Sequence, residues 1–464
     1  MHHRHDAFDC RCPHGGFSER IFREAKTALG RRQFLAGMAA AGVAAMVPWP
    51  VRAAAGKVTL LKSARLFDGK TMRAPGLLVV QGERIVSLNA GDAGSDATVI
   101  DLGDATLMPG LIDCHTHVAP FIVPSHYLVQ PGRTSDNVGE AAIIGVRNAQ
   151  AMLRNGFTTL RDVGGGWGID LAVRDAINEG IVTGPRILAA GPSLSITGGH
   201  GDTNDLPEFV TMDETIETGI AYGPYGFREK VREHVKRHVD VIKILATGGV
   251  LSYGDVWDIP QMNLDEIQAV VDESEKFQRK VAAHCHGDKG ISIAVEGGVH
   301  SIEHCTGVED ATLRNMQQRG TRLVPTVWAL DSILQPGNPM HIPAGSVQKA
   351  QYAATVRNEG MQRALATSVI IAYGTDAGVF PHKENNKDFA LLAQMGMHPA
   401  DVLRSATSSA AELIGLRDRG TLAPGKTADI VAFGGDPTRE ISLMEKTPVL
   451  VMQGGRRIDP AALA

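Results

Sequence analysis

The residues best suited to chemistry begin at Pro109-Gly110-Leu111-Ile112-Asp113-Cys114-His115-Thr116-His117-Val118. An apolar run leads into two histidines spaced i and i+2. On a β-strand this spacing sets both imidazoles on one face, with Cys114 and Thr116 on the other. Two neutral imidazoles converging at a strand end make a metal-binding pair. An isolated pair of this kind can also be two surface side chains, so the pattern needs company. Further along stand Lys243 in Val241-Ile242-Lys243-Ile244-Leu245, and His284 and His286 in Ala283-His284-Cys285-His286-Gly287. His304 follows in Ile302-Glu303-His304-Cys305, and Asp376 in Gly374-Thr375-Asp376-Ala377-Gly378. Each has an ordinary reading by itself: a snorkelling lysine, a capping aspartate, hydrogen-bonded core histidines. All of them at the ends of successive strands in one chain point to a metal centre.

The elements that would position them alternate along the chain. Strands are predicted at Thr158–Val163, Arg186–Leu194, Val239–Ala246, Lys280–Gly287, Ser301–Cys305, Arg322–Ala329 and Val369–Asp376. Amphipathic helices are predicted between them, at Asn148–Asn155, Leu171–Glu179, Phe227–His238, Leu264–Arg279, Gly290–Glu296, Glu309–Arg319 and Val347–Ala366. With the first histidine strand this makes about eight βα units, the rhythm of a (β/α)8 TIM barrel, whose chemistry sits at the carboxyl ends of its strands. A doubly wound open sheet is the competing α/β architecture. It calls for a G-x-G-x-x-G turn after an early strand, and Gly164-Gly165-Gly166 lacks that spacing. Short strands before Pro109 and after Gly420 are each too small to bury a core, so they are expected to pair with each other as one small β-sandwich. The expected division is a leader over 1–55, sandwich over 56–108 and 419–464, and barrel over 109–418.

Composition narrows the class. The chain has 464 residues, 43% hydrophobic and 21% charged, which is ordinary for a soluble globular protein. A net charge of −5 without a long basic run excludes nucleic acid as the expected partner. Five cysteines are too few for a disulfide framework. At the start, Arg31-Arg32-Gln33-Phe34-Leu35 precedes a short Ala/Gly/Met-rich run and then Ala53-Ala54-Ala55. That order resembles a twin-arginine signal, which implies the export machinery as a partner and a periplasmic destination. The run is too short for stable membrane insertion. His2, His3, His5, Cys10, Cys12 and His14 ahead of it fall in the discarded leader.

Taken together these motifs resemble the amidohydrolase superfamily, in its branch of binuclear amidases: Xaa-Pro and Xaa-Arg/Lys dipeptidases, imidazolonepropionase-like proteins and ochratoxin-type amide hydrolases. The resemblance covers nearly everything after residue 57. Its most specific pieces are Pro109–His117, Ser195–Asp202, Lys243 with Ala246-Thr247-Gly248-Gly249-Val250, Ala283–Gly287, Ser301–His304, Gly374–Pro381 and Gly425–Val431. It implies two divalent metal ions, zinc first among the candidates, with manganese, iron and cobalt compatible. His115, His117 and Asp376 would hold the buried ion, and His284 and His304 the outer one. A carboxylated (carbamylated) Lys243 and a hydroxide would bridge them.

The resemblance further implies hydrolysis of a small amide, a dipeptide or an N-acyl amino acid, by a homo-oligomeric enzyme. The metals would acidify a water, Asp376 would carry its proton to the leaving amine, and His200 would stabilise the oxyanion. His286, Tyr253 and His382 are the candidate substrate contacts. Tyr127, Trp257, Trp328 and His341 lie on loops facing the same end. Cys114, Cys285 and Cys305 adjoin ligand histidines where the family usually has small or apolar residues. Alternation turns them away from the metals, as buried thiols rather than ligands. Two other functions stay open on the sequence. A mononuclear deaminase or imidazolone-ring hydrolase on the same fold would lack the bridging lysine, and a deaminase would want a glutamate shortly after His284, where Cys285, His286, Gly287 and Asp288 stand. A non-catalytic periplasmic binding protein would not need a complete acid–base set.

Overall fold

The computed structural model describes residues 57–122, 134–135, 137–202, 204, 219–252, 254, 256–337, 342–459 and 463. The leader with Arg31-Arg32, and Tyr127, Tyr253 and His341, lie outside the described residues.

The chain folds as a mixed α/β structure in which hydrophobic strands alternate with helices. Strands Leu111–Thr116, Phe157–Asp162 and Arg186–Ala189 form one parallel sheet. Strands Val241–Leu245, Lys280–Gly287, Ser301–Gly307 and Arg322–Val324 form a second. Single parallel bridges continue beyond them. Leu194 pairs with Ile244, Leu323 with Ile371, and Thr116 with Ala377. The stretch around 371–377 therefore touches both Arg322–Val324 and Leu111–Thr116.

Alternation decides what each strand face meets. Ile242, Ile244, Val281, Ala283, Cys285 and Ile302 join the apolar core with helix residues such as Ile267, Val270, Ile291, Ala294 and Leu313. On the opposite face Val163, Ala190, Val241 and Ala282 form a separate small cluster. Lys243 shares a level with Ala282, and Leu245 with His284, so lysine and histidine rise from this inner layer. The helices obey ordinary end rules. Leu264–Lys276 opens on a capping box, Asn263 with Glu266, and Asp310–Arg319 closes on Gly320 in the left-handed region.

The two ends of the described chain meet. Strand Ala105–Pro109 pairs antiparallel with Ile430–Gly434, and both belong to a six-stranded sheet. A four-stranded sheet carries Val58–Ser63, Gly76–Gln81, Arg84–Ser87 and Thr98–Asp101. Leu61, Leu78, Val80 and Ile85 from that sheet pack with Leu66, Leu107, Ile430 and Met452 of the other in one apolar cluster. The short connection between Pro109 and Leu111 is possible because residue 110 is glycine: a Cβ there would fall 2.2 Å from Thr158 Oγ1.

Several boundaries differ from expectation: the strand expected over Arg186–Leu194 ends at Ala189, and the helix expected over Asn148–Asn155 runs Val138–Arg154. The apolar run predicted as strand through Ala329 stops at Val324, and Val327–Ile333 is helical. Thr326 takes a left-handed conformation (φ 46°), and Asp388 Oδ1 accepts the Trp328 backbone N–H at 2.7 Å. The stretch predicted as strand over Val369–Asp376 is held by isolated bridges at Ile371 and Ala377 rather than a continuous ladder.

Candidate metal centre

The first strand and the stretch ending at Asp376 are laced by backbone hydrogen bonds. Asp376 N–H donates to the His115 carbonyl at 2.8 Å, and His117 N–H to the Ala377 carbonyl at 2.8 Å. Asp113, buried, accepts from Thr375 Oγ1 at 2.8 Å and from the His115 backbone N–H at 3.1 Å. As a result Asp376 Oδ1 stands 3.4 Å from His115 Nε2 and 3.2 Å from His117 Nε2. Lys243 Nζ, rising from the inner layer, is 3.5 Å from the same His115 Nε2. The remaining rings complete the group. His304 is 4.9 Å from His115 and 4.6 Å from His284, centroid to centroid. His286 is 4.6 Å from His284 and stacked on His304 at 4.9 Å. His200 is 4.4 Å from His284.

The structure thus brings together every ligand candidate named from the sequence. Among the described residues two sets offer ligand atoms within 4.8 Å of one another: His115, His304 and Asp376; and His284, His286 and His304. His304 belongs to both. No cysteine belongs to either set. Cys114, Cys285 and Cys305 are buried and free, and burial pushes the Cys114 thiol up to about 12.

Backbone strain collects here. His304 (φ 66°), Cys305 (φ 51°), Thr326 (φ 46°) and Asp376 (φ 64°) all occupy the left-handed region, which L side chains rarely adopt. At His304 the consequence is direct. Glu303 is the strand partner of His284 and His304 that of Cys285, so a regular strand would send the His304 ring outward with the thiol. The positive φ turns it inward beside Glu303.

Each candidate ring is held from behind. His115 Nδ1 is 2.8 Å from Glu303 Oε2, His117 Nδ1 is 2.9 Å from the Gly164 carbonyl, and His284 Nε2 is 3.0 Å from the Gly248 carbonyl. His304 Nδ1 is 2.6 Å from Thr326 Oγ1, and His286 Nδ1 is 2.7 Å from Thr306 Oγ1. Glu303 is itself gripped by Arg161, whose Nη2 reaches its two oxygens at 2.8 and 3.0 Å. Burial alone would raise the Glu303 carboxyl, but Arg161 and His115 outweigh it and hold it at about 2. Burial, then the crowding of neighbouring rings, keeps His284 and His304 well below the usual imidazole range. Burial would likewise raise Asp376, but His115 and His117 pull it well below the carboxylate range. Burial lowers Lys243 to about 8, against the pull of Glu303 and Asp376.

This donor set fits divalent cations. Burial holds His115, His284 and His304 below the usual imidazole range, while at His117 Asp376 outweighs burial and raises the ring. A carbonyl or carboxylate accepting from one ring nitrogen presents the other as a lone pair. Glu303, Arg161, Asp113, Thr306 and Thr326 are the functional residues that sequence reasoning missed.

The other candidates are placed as follows. His200 N–H donates to Gln261 Oε1 at 2.8 Å, and its ring packs so closely on residue 249 that a Cβ there would fall 2.0 Å from the ring. His382 is buried with Nε2 2.9 Å from the His117 carbonyl, where it supports the backbone that carries this candidate ligand. Trp257 is buried edge-on to His286 at 5.5 Å and to Tyr352 at 5.8 Å, and Tyr352 is 61% exposed. Trp328 lies 3.9 Å under the Lys387 ammonium and donates to Glu384.

Comparison with known proteins follows the same lines. Residues 106–458 match the Amidohydrolase family. The chain is 29% identical to ochratoxinase from Aspergillus niger over 426 residues, covering 86% of each chain. It superposes on a Xaa-Pro dipeptidase with bound methionine at a TM-score of 0.81 and 33% identity, over 87% of this chain and 100% of that one. A prolidase complexed with N-methylphosphonate-L-proline matches at 0.77 and 31%, again over 87% and 100%. Among the described residues no helix is long and apolar enough to cross a membrane.

Proposed function

The chain belongs to the amidohydrolase family, as a hydrolase of carbon–nitrogen amide bonds, and we propose that its substrate is a dipeptide or N-acyl amino acid. The observation that carries this is the convergence of His115, His117, Lys243, His284, His304 and Asp376 at the ends of parallel strands. The two overlapping ligand sets, with His117 Nε2 3.2 Å from Asp376 Oδ1, support a pair of divalent ions, zinc by preference: His115, His117 and Asp376 would hold one, and His284 and His304 the other. Lys243, buried 3.5 Å from His115 Nε2, cannot ligate as an ammonium. As a neutral amine it would add carbon dioxide, release a proton and become an anionic carbamate, whose charge would offset part of that of the metals.

When bound, the metals lower the pKa of water to near neutrality and polarise the scissile carbonyl. The protein's own residues do the rest. Asp376 would take the proton from the attacking water and deliver it to the amine nitrogen as the carbon–nitrogen bond breaks. His200, packed against His284, would donate to the carbonyl oxygen as negative charge develops there. Trp257 and Tyr352 offer an aromatic wall beside His286, suited to an apolar substrate side chain.

The scaffold in this reading is a (β/α)8 barrel. The support is the two parallel sheets and the three bridges that continue them through Leu194–Ile244, Leu323–Ile371 and Thr116–Ala377. The two outer sheets, sharing one apolar cluster, would be its small β-sandwich. Arg31-Arg32 and the apolar run after it support export by the twin-arginine route to the periplasm.

The test is turnover by metal-loaded protein of N-acyl amino acids and dipeptides varied at the C-terminal residue, with metal content measured in parallel. Two metal equivalents and release of the free amine are expected. A protein that holds two metals and cleaves no amide in the panel overturns the substrate class.

A further inference from the structure

We infer that His286 is itself a ligand of the outer ion, so that this ion is held by three histidines, His284, His286 and His304. The inference rests on the two-ion reading above and adds a residue to it. One ring nitrogen of each of the three lies within 4.8 Å of the others. Metal–nitrogen bonds of about 2.0–2.1 Å draw such a set closer still.

The surroundings of His286 are those of a held ligand rather than of a substrate-reading side chain. Its Nδ1 meets the Thr306 hydroxyl at 2.7 Å, as His304 Nδ1 meets the Thr326 hydroxyl at 2.6 Å. The two rings lie nearly parallel, 17° apart at 4.9 Å, each with a threonine on the same nitrogen. Trp257 closes on the His286 ring at 76°, and the residue is buried. A ring fixed by a hydroxyl, a stacked neighbour and an aromatic edge is preorganised to bind an ion with little ordering cost. The spacing repeats the first strand: His284-x-His286 stands to the outer ion as His115-x-His117 stands to the inner one.

A third nitrogen gives the outer position an affinity closer to that of the inner one, and the ion there resists chelation. The experiment is titration of metal-free protein with Co2+, followed by calorimetry and by visible and near-ultraviolet absorption. It uses the wild type, His286→Phe and His286→Cys, with folding checked by thermal unfolding. The wild type is expected to bind two equivalents. His286→Phe should keep the first and bind the second about a hundredfold more weakly, the upper end of the loss from disturbing a metal's surroundings. His286→Cys should recover the second equivalent and add a sulfur-to-cobalt charge-transfer band that the wild type lacks.

Two equivalents of unchanged affinity in His286→Phe overturn the inference and leave the two-ion reading standing. Weakened binding in His286→Phe without a new band in His286→Cys also overturns it, by placing residue 286 beside the ion rather than on it. Should the phenylalanine chain not fold, the cysteine chain decides alone. Fewer than two equivalents in the wild type would bring down the two-ion reading, and this inference with it.

Discussion

Glu303 Oε2 lies 2.8 Å from His115 Nδ1, and the same carboxylate is gripped by Arg161 at 2.8 and 3.0 Å. A buried cation, a buried anion and a metal-candidate ring thus form one line, in which the anion fixes the tautomer of the ring and raises its basicity. Substituting Glu303→Gln keeps the shape and removes the charge. Metal affinity should fall about 10–100-fold. Stability should fall by about 3–5 kcal/mol, because Arg161 is left as an unpaired buried charge. Metal titration and denaturant unfolding read the two effects separately.

Lys243→Ala should fold and lose nearly all activity, because the cavity left at 3.5 Å from His115 Nε2 holds no anion to join the two sides. Small carboxylic acids supplied in solution are expected to restore part of the rate. Intact mass of metal-loaded wild type should show one carbon dioxide adduct on Lys243. A Lys243→Ala chain at near wild-type rate refutes the bridge.

Gly249 makes room for His200: a Cβ would sit 2.0 Å from Cε1, 2.2 Å from Nδ1 and 2.5 Å from Nε2 of that ring. Gly249→Ala must displace the imidazole. With His200 as the donor to the developing oxyanion, kcat should drop about 10²–10³-fold, while metal content and melting temperature stay near wild type. Steady-state kinetics beside metal analysis checks this, and an unchanged kcat removes His200 from the reaction.

His300 gives a pH-dependent stability away from the metal ligands. Its Nδ1 accepts the Val281 backbone N–H at 3.1 Å, and burial, then Lys280 and Arg161, lower its pKa from 6.5 to about 4. A folded pKa below the unfolded one favours the neutral ring. The contribution is full above pH 6.5 and disappears as pH falls towards 4, because the unfolded chain takes up the proton first. Unfolding free energies of wild type and His300→Gln should therefore converge across that window. About 2 kcal/mol is expected after allowing for the partial exposure of the ring. Denaturant curves at three pH values measure it; a constant difference between the two proteins overturns the assignment.

The histidine pairs were legible because i, i+2 spacing on a strand has one meaning, and Lys280–Gly287 has the same bounds in sequence and structure. Glu303 was not. Regular alternation assigns it to the face opposite His304, and no glycine or asparagine warns that residues 304 and 305 take positive φ. The run expected as strand through Ala329 contains Pro325, which has no N–H for the ladder, and the strand stops at Val324. Beyond it Thr326 takes a positive φ, and Asp388, from a distant helix, accepts the Trp328 N–H as the helix begins. Asp113 reads as an ordinary carboxylate within the first strand. Its partner Thr375 is 262 residues away, a contact no local pattern contains.

The pairing of Ala105–Pro109 with Ile430–Gly434 sets an order of events during synthesis. A chain emerging from the ribosome exposes one open edge of Ala105–Pro109, immediately ahead of the strand bearing His115 and His117, until residue 434 has been made. That edge is a template for wrong pairing for as long as it waits. The candidate ligands share the delay, since Asp376 joins His115 only after residue 376 has been made. A nascent chain stalled before residue 430 is therefore the species most exposed to aggregation.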